Sequence, residues 1–202
     1  GRVSQSQAEF FDSIADQWDG WEKSDIADRI ARVIEVAEIK PCMSILDVGT
    51  GTGVLLPGLS DAVGPQGRIL AIDVSSGMLR VAATKGTPTS VQLRQSSLED
   101  LPLELGGFDR VMCNAVFPHF PDWPLALCRI RGLLNDTGWL VISHPIGREA
   151  VNRIHSESDP IVSRDSVPNN DLMRMLLTEA GFKEIRIIDE PEFHMALGVK
   201  RD

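Results

Sequence analysis

The sequence is poor in cysteine and has no long apolar run. Its 202 residues contain three cysteines, Cys42, Cys113 and Cys128, an odd number that is widely spaced. This usage indicates a reducing compartment and argues against a disulfide framework or a zinc site. No stretch reaches the roughly 20 apolar residues that a membrane-spanning helix needs, and the polar N-terminus does not resemble a signal peptide. We therefore expect a cytoplasmic protein with no membrane partner and no metal.

Basic residues are also scarce. The chain has 20 Lys and Arg against 29 Asp and Glu, a formal net charge of −9, and its basic residues form no dense run. Proteins that bind a phosphate backbone cluster their Lys and Arg, so we expect no nucleic-acid partner. A chain of this length is typical of one α/β domain, and it can bury a sufficient core without disulfides or metals.

What the sequence does contain is a glycine-rich segment at residues 44–53. A short apolar run reaches Asp47, glycines then alternate with other residues, and a helical pattern begins at Val54. A strand, tight turn and helix in this order present backbone N–H groups and a positive dipole end to a ligand. The next apolar run ends in Asp73, twenty residues past Gly53, where doubly wound folds have the acid that binds ribose hydroxyls.

The glycine spacing discriminates between nucleotide ligands. A dinucleotide fingerprint needs a small residue where Val54 or Leu56 stands, so NAD and FAD are disfavoured. No Lys-Ser or Lys-Thr pair follows the glycines, as a P-loop requires. The loop suits a nucleoside ligand without a phosphate, and an ordinary glycine-rich turn is the alternative without function.

Several segments in order resemble the class I S-adenosylmethionine-dependent methyltransferases, of the small-molecule type. They are residues 47–53, 71–79, 97–102, 108–114 and 133–140. The resemblance extends from about Phe10 to the C-terminus. It implies an α/β fold with a Rossmann-like, doubly wound, seven-stranded sheet, mostly parallel with an antiparallel C-terminal strand. We expect residues 1–40 to form a helical lid or cap and residues 41–202 to form the methyltransferase domain as a single globular unit.

The resemblance also implies the cofactor, S-adenosylmethionine, and the residues that bind it. The glycine loop would hold the methionine portion, Asp73 the ribose, and Val74 and Met78 the adenine. Ser97 stands where the family often has an acid for the adenine amine. The full set of expected cofactor residues is Asp47, Gly49, Thr50, Gly51, Thr52, Gly53, Asp73, Val74, Met78, Ser97, Leu98 and Asn114.

Candidate acceptor residues lie in three places: the N-terminal segment, the loop after the fourth strand, and residues 144–156. In the last of these, Arg148, Asn152 and His155 share one helical face, which is either an acceptor pocket or an exposed polar surface. His144, Glu149 and His155 have no recognised metal-ligand spacing. The expected substrate contacts are Phe11, Trp18, His119, His144, Arg148, Asn152 and His155, and His119, His144 and His155 are the candidate catalytic residues.

The favoured function is methyl transfer from S-adenosylmethionine to a small-molecule acceptor. The alternative is a non-catalytic protein, or a partner subunit, that binds S-adenosylmethionine with a methyltransferase fold. Arsenite-type transfer would need converging thiolates, and all three cysteines are predicted to be core residues, so it is set aside. A homodimer stays open.

Overall fold

The computed structural model describes residues 23–85, 90–145 and 166–202, with side chains from Asp25 onward. These residues form one seven-stranded sheet in the order β3-β2-β1-β4-β5-β7-β6. The described residues include five α-helices, namely α1 (Lys23–Val36), α2 (Leu56–Val63), α3 (Ser76–Ala83), α4 (Trp123–Leu133) and α5 (Asn170–Glu179). The strands are β1 (Ser44–Val48), β2 (Arg68–Asp73), β3 (Val91–Gln95), β4 (Phe108–Asn114), β5 (Leu134–His144), β6 (Phe182–Glu190) and β7 (Phe193–Lys200).

The strand directions confirm the predicted fold class. Strands β1 to β5 pair in parallel, whereas β7 runs antiparallel to both β5 and β6. The chain leaves β1 towards β2 and β3 on one side and returns to β4 on the other. This reversal of strand order between β1 and β4 is the topological switch point at which doubly wound sheets bind ligands.

Helices cover both faces of the sheet because successive strand residues point to opposite sides. In β1, Leu46 and Val48 belong to a core cluster with residues of α4 and α5, whereas Ile45 belongs to a second cluster with α1 and α2. Asp47 therefore shares the face of Ile45. In α1, the apolar residues Ile26, Ile30, Val33 and Ile34 recur at helical spacing in the sequence, and Ile30 and Val33 are buried in this second cluster.

Two sequence-based expectations about burial and strand length are wrong. Cys113 is a core residue, but Cys42 and Cys128 are exposed. Cys128 follows the buried Leu127 by one position, and one residue turns the side chain about 100° around a helix. The apolar run at residues 139–143 predicts the fifth strand there, whereas β5 begins at Leu134 because Leu134 pairs with Phe108 across a register irregularity. The predicted lid at residues 1–40 stays a prediction.

No helix among the described residues is long and apolar enough to cross a membrane. Those residues also include no group of three or more His, Cys, Asp or Glu side chains that could hold a metal ion.

Candidate functional site

A cavity opens at the carboxyl ends of β1, β2 and β4, beside the switch point. The loop after β1, the end of β2, the segment after β3 and the turn after β4 all line it, and α1 contributes a further wall. The glycine loop therefore meets the other strand ends in one continuous space. Of the residues singled out in the sequence, those lining it are Gly49, Thr50, Gly51, Thr52, Asp73, Val74, Met78, Ser97, Leu98, Asn114 and His119.

The glycine loop is held against the neighbouring strand by its backbone. Thr50 N donates to Ile72 O at 2.9 Å, and Gly53 N donates to Thr50 O at 2.9 Å. Gly49 has φ +64°, and a Cβ there would lie 2.5 Å from Val116 Cγ2. Gly49 is thus required both by its left-handed backbone and by the close approach of the turn after β4.

Asp73 connects the end of β2 to the glycine loop. Its Oδ2 accepts from Gly51 N at 2.9 Å, and its Oδ1 accepts from Ser75 N at 2.9 Å. The residue lines the cavity and is 8% exposed. Because a carboxylate has about four lone-pair positions, both oxygens can accept further hydrogen bonds from a ligand.

Asp47, at the end of β1, has a different environment. It is 1% exposed and does not line the cavity. Its Oδ2 accepts from Thr50 Oγ1 at 2.8 Å. Burial raises the pKa of Asp47 to about 7, the bond from Thr50 opposes the rise, and the nearby charge of Asp73 adds to it.

The far wall of the cavity combines apolar and small polar side chains. Met78 is buried, and its backbone N donates to Ser75 Oγ at the start of α3. Ser97 lines the cavity, and its Oγ accepts from Asp100 N at 3.0 Å, which closes a turn after β3. Leu98 is buried beside it.

The turn after β4 supplies the remaining polar groups. Asn114 Oδ1 accepts from Ser143 Oγ at 2.8 Å, so the amide is oriented by the neighbouring strand. Ala115 has φ +57°, and its N donates to Ser143 O at 2.8 Å. The chain then enters a short 3-10 helix, Phe117–His119, in which His119 is 6% exposed and lines the cavity.

The comparisons with known proteins agree with this geometry. The family described as a methyltransferase domain matches residues 46–142. A nocamycin O-methyltransferase from Saccharothrix syringae is 31% identical over 119 residues, 57% of this chain and 42% of that protein. A demethylmenaquinone methyltransferase from Staphylococcus carnosus (strain TM300) is 27% identical over 179 residues, 77% of this chain and 74% of that protein.

The fold is also found in solved structures. A SAM-dependent methyltransferase from Aquifex aeolicus superimposes with a TM-score of 0.75 at 23% identity, covering 93% of this chain and 97% of that one. The chain carries a class I S-adenosylmethionine-dependent methyltransferase domain. S-adenosylmethionine is the cofactor of domains of this family. The chain spans 33% and 42% of the length of the first two curated relatives that it matches.

The methyltransferase domain brings most of the expected cofactor residues to one cavity, but not all. Asp47 lies below the loop, and Gly53 does not line the cavity. A Cβ on Gly53, whose φ is +81°, would lie 3.1 Å from Ala82 Cβ. Gly53 therefore permits close packing of α3 against the loop. A direct cofactor contact by either residue stays a prediction.

His144 does not line the cavity. It is fully buried in β5, opposite His194 of β7, with 3.2 Å between the two Nδ1 atoms. Strand β5 is central and buried on both faces, and the sequence alone did not reveal which face His144 takes. The other acceptor candidates, Phe11, Trp18, Arg148, Asn152 and His155, and also Glu149, lie outside the described residues.

Sequence reasoning missed the contribution of α1 to the methyltransferase cavity. Arg29 lines the cavity together with Ile26 and Ile30. The helical spacing of the two isoleucines predicts only that they pack in the core. Arg29 Nη1 donates to Pro145 O and to Glu192 O, and its Nη2 donates to Glu192 Oε2 at 3.0 Å. A charged residue beside an apolar stripe was the available signal, but only the long-range contacts identify the wall that it joins.

Proposed function

We propose that this domain transfers the methyl group of S-adenosylmethionine to a small-molecule acceptor. The observation that carries the proposal is that one cavity is shared by the glycine loop, Asp73, the turn after β4 and a wall of α1. A nucleoside site and an adjoining space for an acceptor are both needed for direct transfer. A shared cavity supports that requirement.

The cofactor supplies a sulfonium-activated methyl group, so the task of the protein is to hold donor and acceptor in line. In the proposed arrangement, Asp73, whose oxygens accept from Gly51 N and Ser75 N, also accepts hydrogen bonds from the ribose hydroxyls. Backbone groups of the glycine loop face the methionine portion. The positive φ values of Gly49 and Gly51 open the close approach that this contact needs.

The adenine is proposed to lie against the apolar wall. Val74, Met78 and Leu98 line the cavity between the ends of β2 and β3, and burial of a flat apolar base against them is favourable. Ser97 Oγ can accept from the adenine amine, although it already accepts from Asp100 N and carries no charge. We therefore expect this contact to be weaker than that of an acid at the same position.

The acceptor is proposed to occupy the side of the cavity bounded by Asn114, His119, Arg29 and Pro145. His119 is the described residue that can orient the acceptor or take its proton, if the acceptor must lose one. The other predicted acceptor contacts stay predictions: His144, His155, Arg148, Asn152, Phe11 and Trp18. A small acceptor is supported by the matched relatives, which are named for an antibiotic-type molecule and a quinone precursor, and by the net charge of −9, which disfavours nucleic acid.

Calorimetry and turnover together test the proposal. S-adenosylmethionine and S-adenosylhomocysteine should both bind the purified protein, and NAD should not. Turnover of a panel of phenolic, quinone-precursor and amine acceptors should then yield S-adenosylhomocysteine. Binding of both ligands without turnover of any acceptor, in a chain that carries all its native segments, would instead support a non-catalytic role.

A further inference from the structure

Arg29 is the only Lys or Arg among the described residues that line the cavity. Its Nη1 donates to Pro145 O and to Glu192 O, and its Nη2 donates to Glu192 Oε2 at 3.0 Å. Pro145 follows β5, and Glu192 lies between β6 and β7. The guanidinium is thus fixed on the β5 side of the cavity, and β4 lies between that side and the glycine loop after β1.

These bonds leave part of the guanidinium uncommitted. An arginine has five N–H donors in one plane, and the contacts with Pro145 and Glu192 use both hydrogens of Nη1 and one of Nη2. Nε–H and the second Nη2–H have no acceptor among the described residues. These two N–H groups share one edge of the plane, and such a pair fits the two oxygens of a carboxylate. The side chain of Arg29 is 27% exposed, so a ligand can reach it.

Glu192 compensates the charge of Arg29 only from the protein surface. Its side chain is 80% exposed and does not line the cavity, so water and salt screen its attraction for the guanidinium. The acids that do line the cavity, Asp73 and Glu99, belong to the nucleoside side, at the end of β2 and after β3. The described wall of the acceptor side therefore carries a positive charge and no acid.

Apolar groups surround the guanidinium on the same wall. Ile26 and Ile30 of α1 line the cavity with it, as does Pro145. Binding sites of this kind bury an apolar body and fix its orientation with a few polar groups. A ligand that suits this side therefore has an apolar body and one anionic group.

We propose that Arg29 determines the acceptor specificity of this domain: the methyl acceptor is an aromatic or other apolar carboxylic acid, and its carboxylate binds the uncommitted edge of the Arg29 guanidinium. The inference rests on the proposed function and adds the chemical class of the acceptor. The carboxylate orients the molecule, so that the atom that receives the methyl group faces Asn114 and His119.

Calorimetry of the full chain saturated with S-adenosylhomocysteine tests the acceptor class. The probes are carboxylic acids, each matched with its neutral amide: benzoate, salicylate, anthranilate and indoleacetate against benzamide, salicylamide, anthranilamide and indoleacetamide. We expect at least one acid to bind about tenfold more tightly than its amide, a moderate factor because the guanidinium is partly exposed. If no acid is preferred over its amide, the proposal is wrong, whereas failure of the wild type to bind S-adenosylhomocysteine would refute the cofactor assignment itself.

Variants on α1 assign the preference for the acid to one guanidinium. Arg29→Gln should abolish it, and Arg29→Lys, which keeps the charge but not the paired N–H groups, should retain a preference of about threefold. The matched control is Arg32→Gln, because Arg32 lies about one turn further along α1 and pairs with Glu190 at 2.7 Å but does not line the cavity. It should leave the preference within about twofold of the wild type. If both Gln variants lose the preference, it comes from the anchoring of α1, and the proposal is overturned.

If Arg29→Gln does not fold, Glu192→Gln provides the test. It keeps Arg29 and removes the protein carboxylate that competes for the guanidinium. The preference for the acid should then rise about twofold at low ionic strength, and an unchanged preference would overturn the proposal.

The cofactor has a carboxylate of its own, in its methionine portion, and a second ligand pair identifies whether Arg29 binds that group instead. Methylthioadenosine keeps the adenosine but lacks this carboxylate. In Arg29→Gln, or in Arg29→Lys, the ratio of the affinities for S-adenosylhomocysteine and methylthioadenosine should stay within about twofold of the wild type. A fall of about tenfold in this ratio would assign Arg29 to the cofactor and overturn the proposal for the acceptor.

Discussion

The ends of β1 and β2 carry the same side chain in two contrasting states. Asp73 has two backbone N–H donors, one to each oxygen, and lines the cavity. Asp47 accepts one hydrogen bond, from a hydroxyl, and its other oxygen has no hydrogen-bond partner among the described residues. Asp47 does not line the cavity. The two carboxyls belong to adjacent parallel strands, so their difference comes from how the loop between them folds.

The loop explains the contrast by the direction of its N–H groups. In this loop, Gly51 N donates to Asp73, whereas Thr50 reaches Asp47 with its side-chain hydroxyl. One carboxyl is thereby satisfied as an anion and presented to a ligand. The other is left in a low-dielectric position that favours its neutral form. We infer that the first serves binding of the nucleoside.

Asp73→Ala should produce the largest change. It removes the acceptor of the two proposed ribose hydrogen bonds, each worth about 1.5–3 kcal/mol when one partner is charged. We expect affinities for S-adenosylmethionine and S-adenosylhomocysteine to fall equally, by about 100- to 20,000-fold, as measured by calorimetry.

The matched control is Asp61→Ala, which removes an exposed carboxylate from α2 at a position outside the cavity. It should leave both affinities within about twofold of the wild type, because exposed charges are screened. If Asp73→Ala binds both ligands as the wild type does, the ribose assignment is wrong.

Gly49→Ala should come next and act on folding. The added methyl group would lie 2.5 Å from Val116 Cγ2, on a backbone with φ +64°. We expect a loss of about 3 kcal/mol in the free energy of unfolding, from left-handed strain of about 1–2 kcal/mol and the overlap with Val116. Urea unfolding of the wild type and the variant would measure it.

Gly51→Ala isolates the backbone contribution to that loss. Gly51 has φ +59°, but a Cβ there would meet only Gly49 O, at 4.0 Å. Its expected cost is therefore about 1–2 kcal/mol, from strain alone. Equal losses in the two variants would mean that Val116 yields to the new methyl group and that the close approach of the two turns is not required.

The same contrast marks the limit of prediction from sequence. The strand, the alternating glycines and the acid at the end of the next strand are local patterns, so the sequence alone predicts the loop and Asp73. The state of Asp47 depends on which loop N–H group reaches which carboxyl. No spacing in the sequence encodes that choice.

Long-range contacts account for the other differences. The residues after Leu134 include Asn135, Asp136 and Gly138, which favour a turn, yet Leu134 pairs with Phe108 and extends β5. The sequence of α1 does not predict the position of Arg29 in the cavity wall, because its partners Pro145 and Glu192 are more than a hundred residues away. Both contacts depend on tertiary packing, which overrides local preference.

Asp47→Asn should act through pH alone, seen as a change in the free energy of unfolding with pH in the free protein. The ordinary pKa of Asp is about 3.9 in an unfolded chain, and burial raises that of Asp47 to about 7 in the fold. Between these values the folded state holds a proton that the unfolded state has lost. The contribution of Asp47 to stability is therefore fully present below about pH 4 and is lost as the pH rises through 7.

The asparagine variant lacks this loss. Its stability relative to the wild type should increase by about 2 kcal/mol between about pH 5 and about pH 8, as measured by urea unfolding at both values. Asp61→Asn, at the exposed position on α2, should show no such increase. If the two variants change alike with pH, or if Asp47→Asn loses stability as the pH rises, then Asp47 is already ionised in the free protein and the contrast with Asp73 is one of position alone.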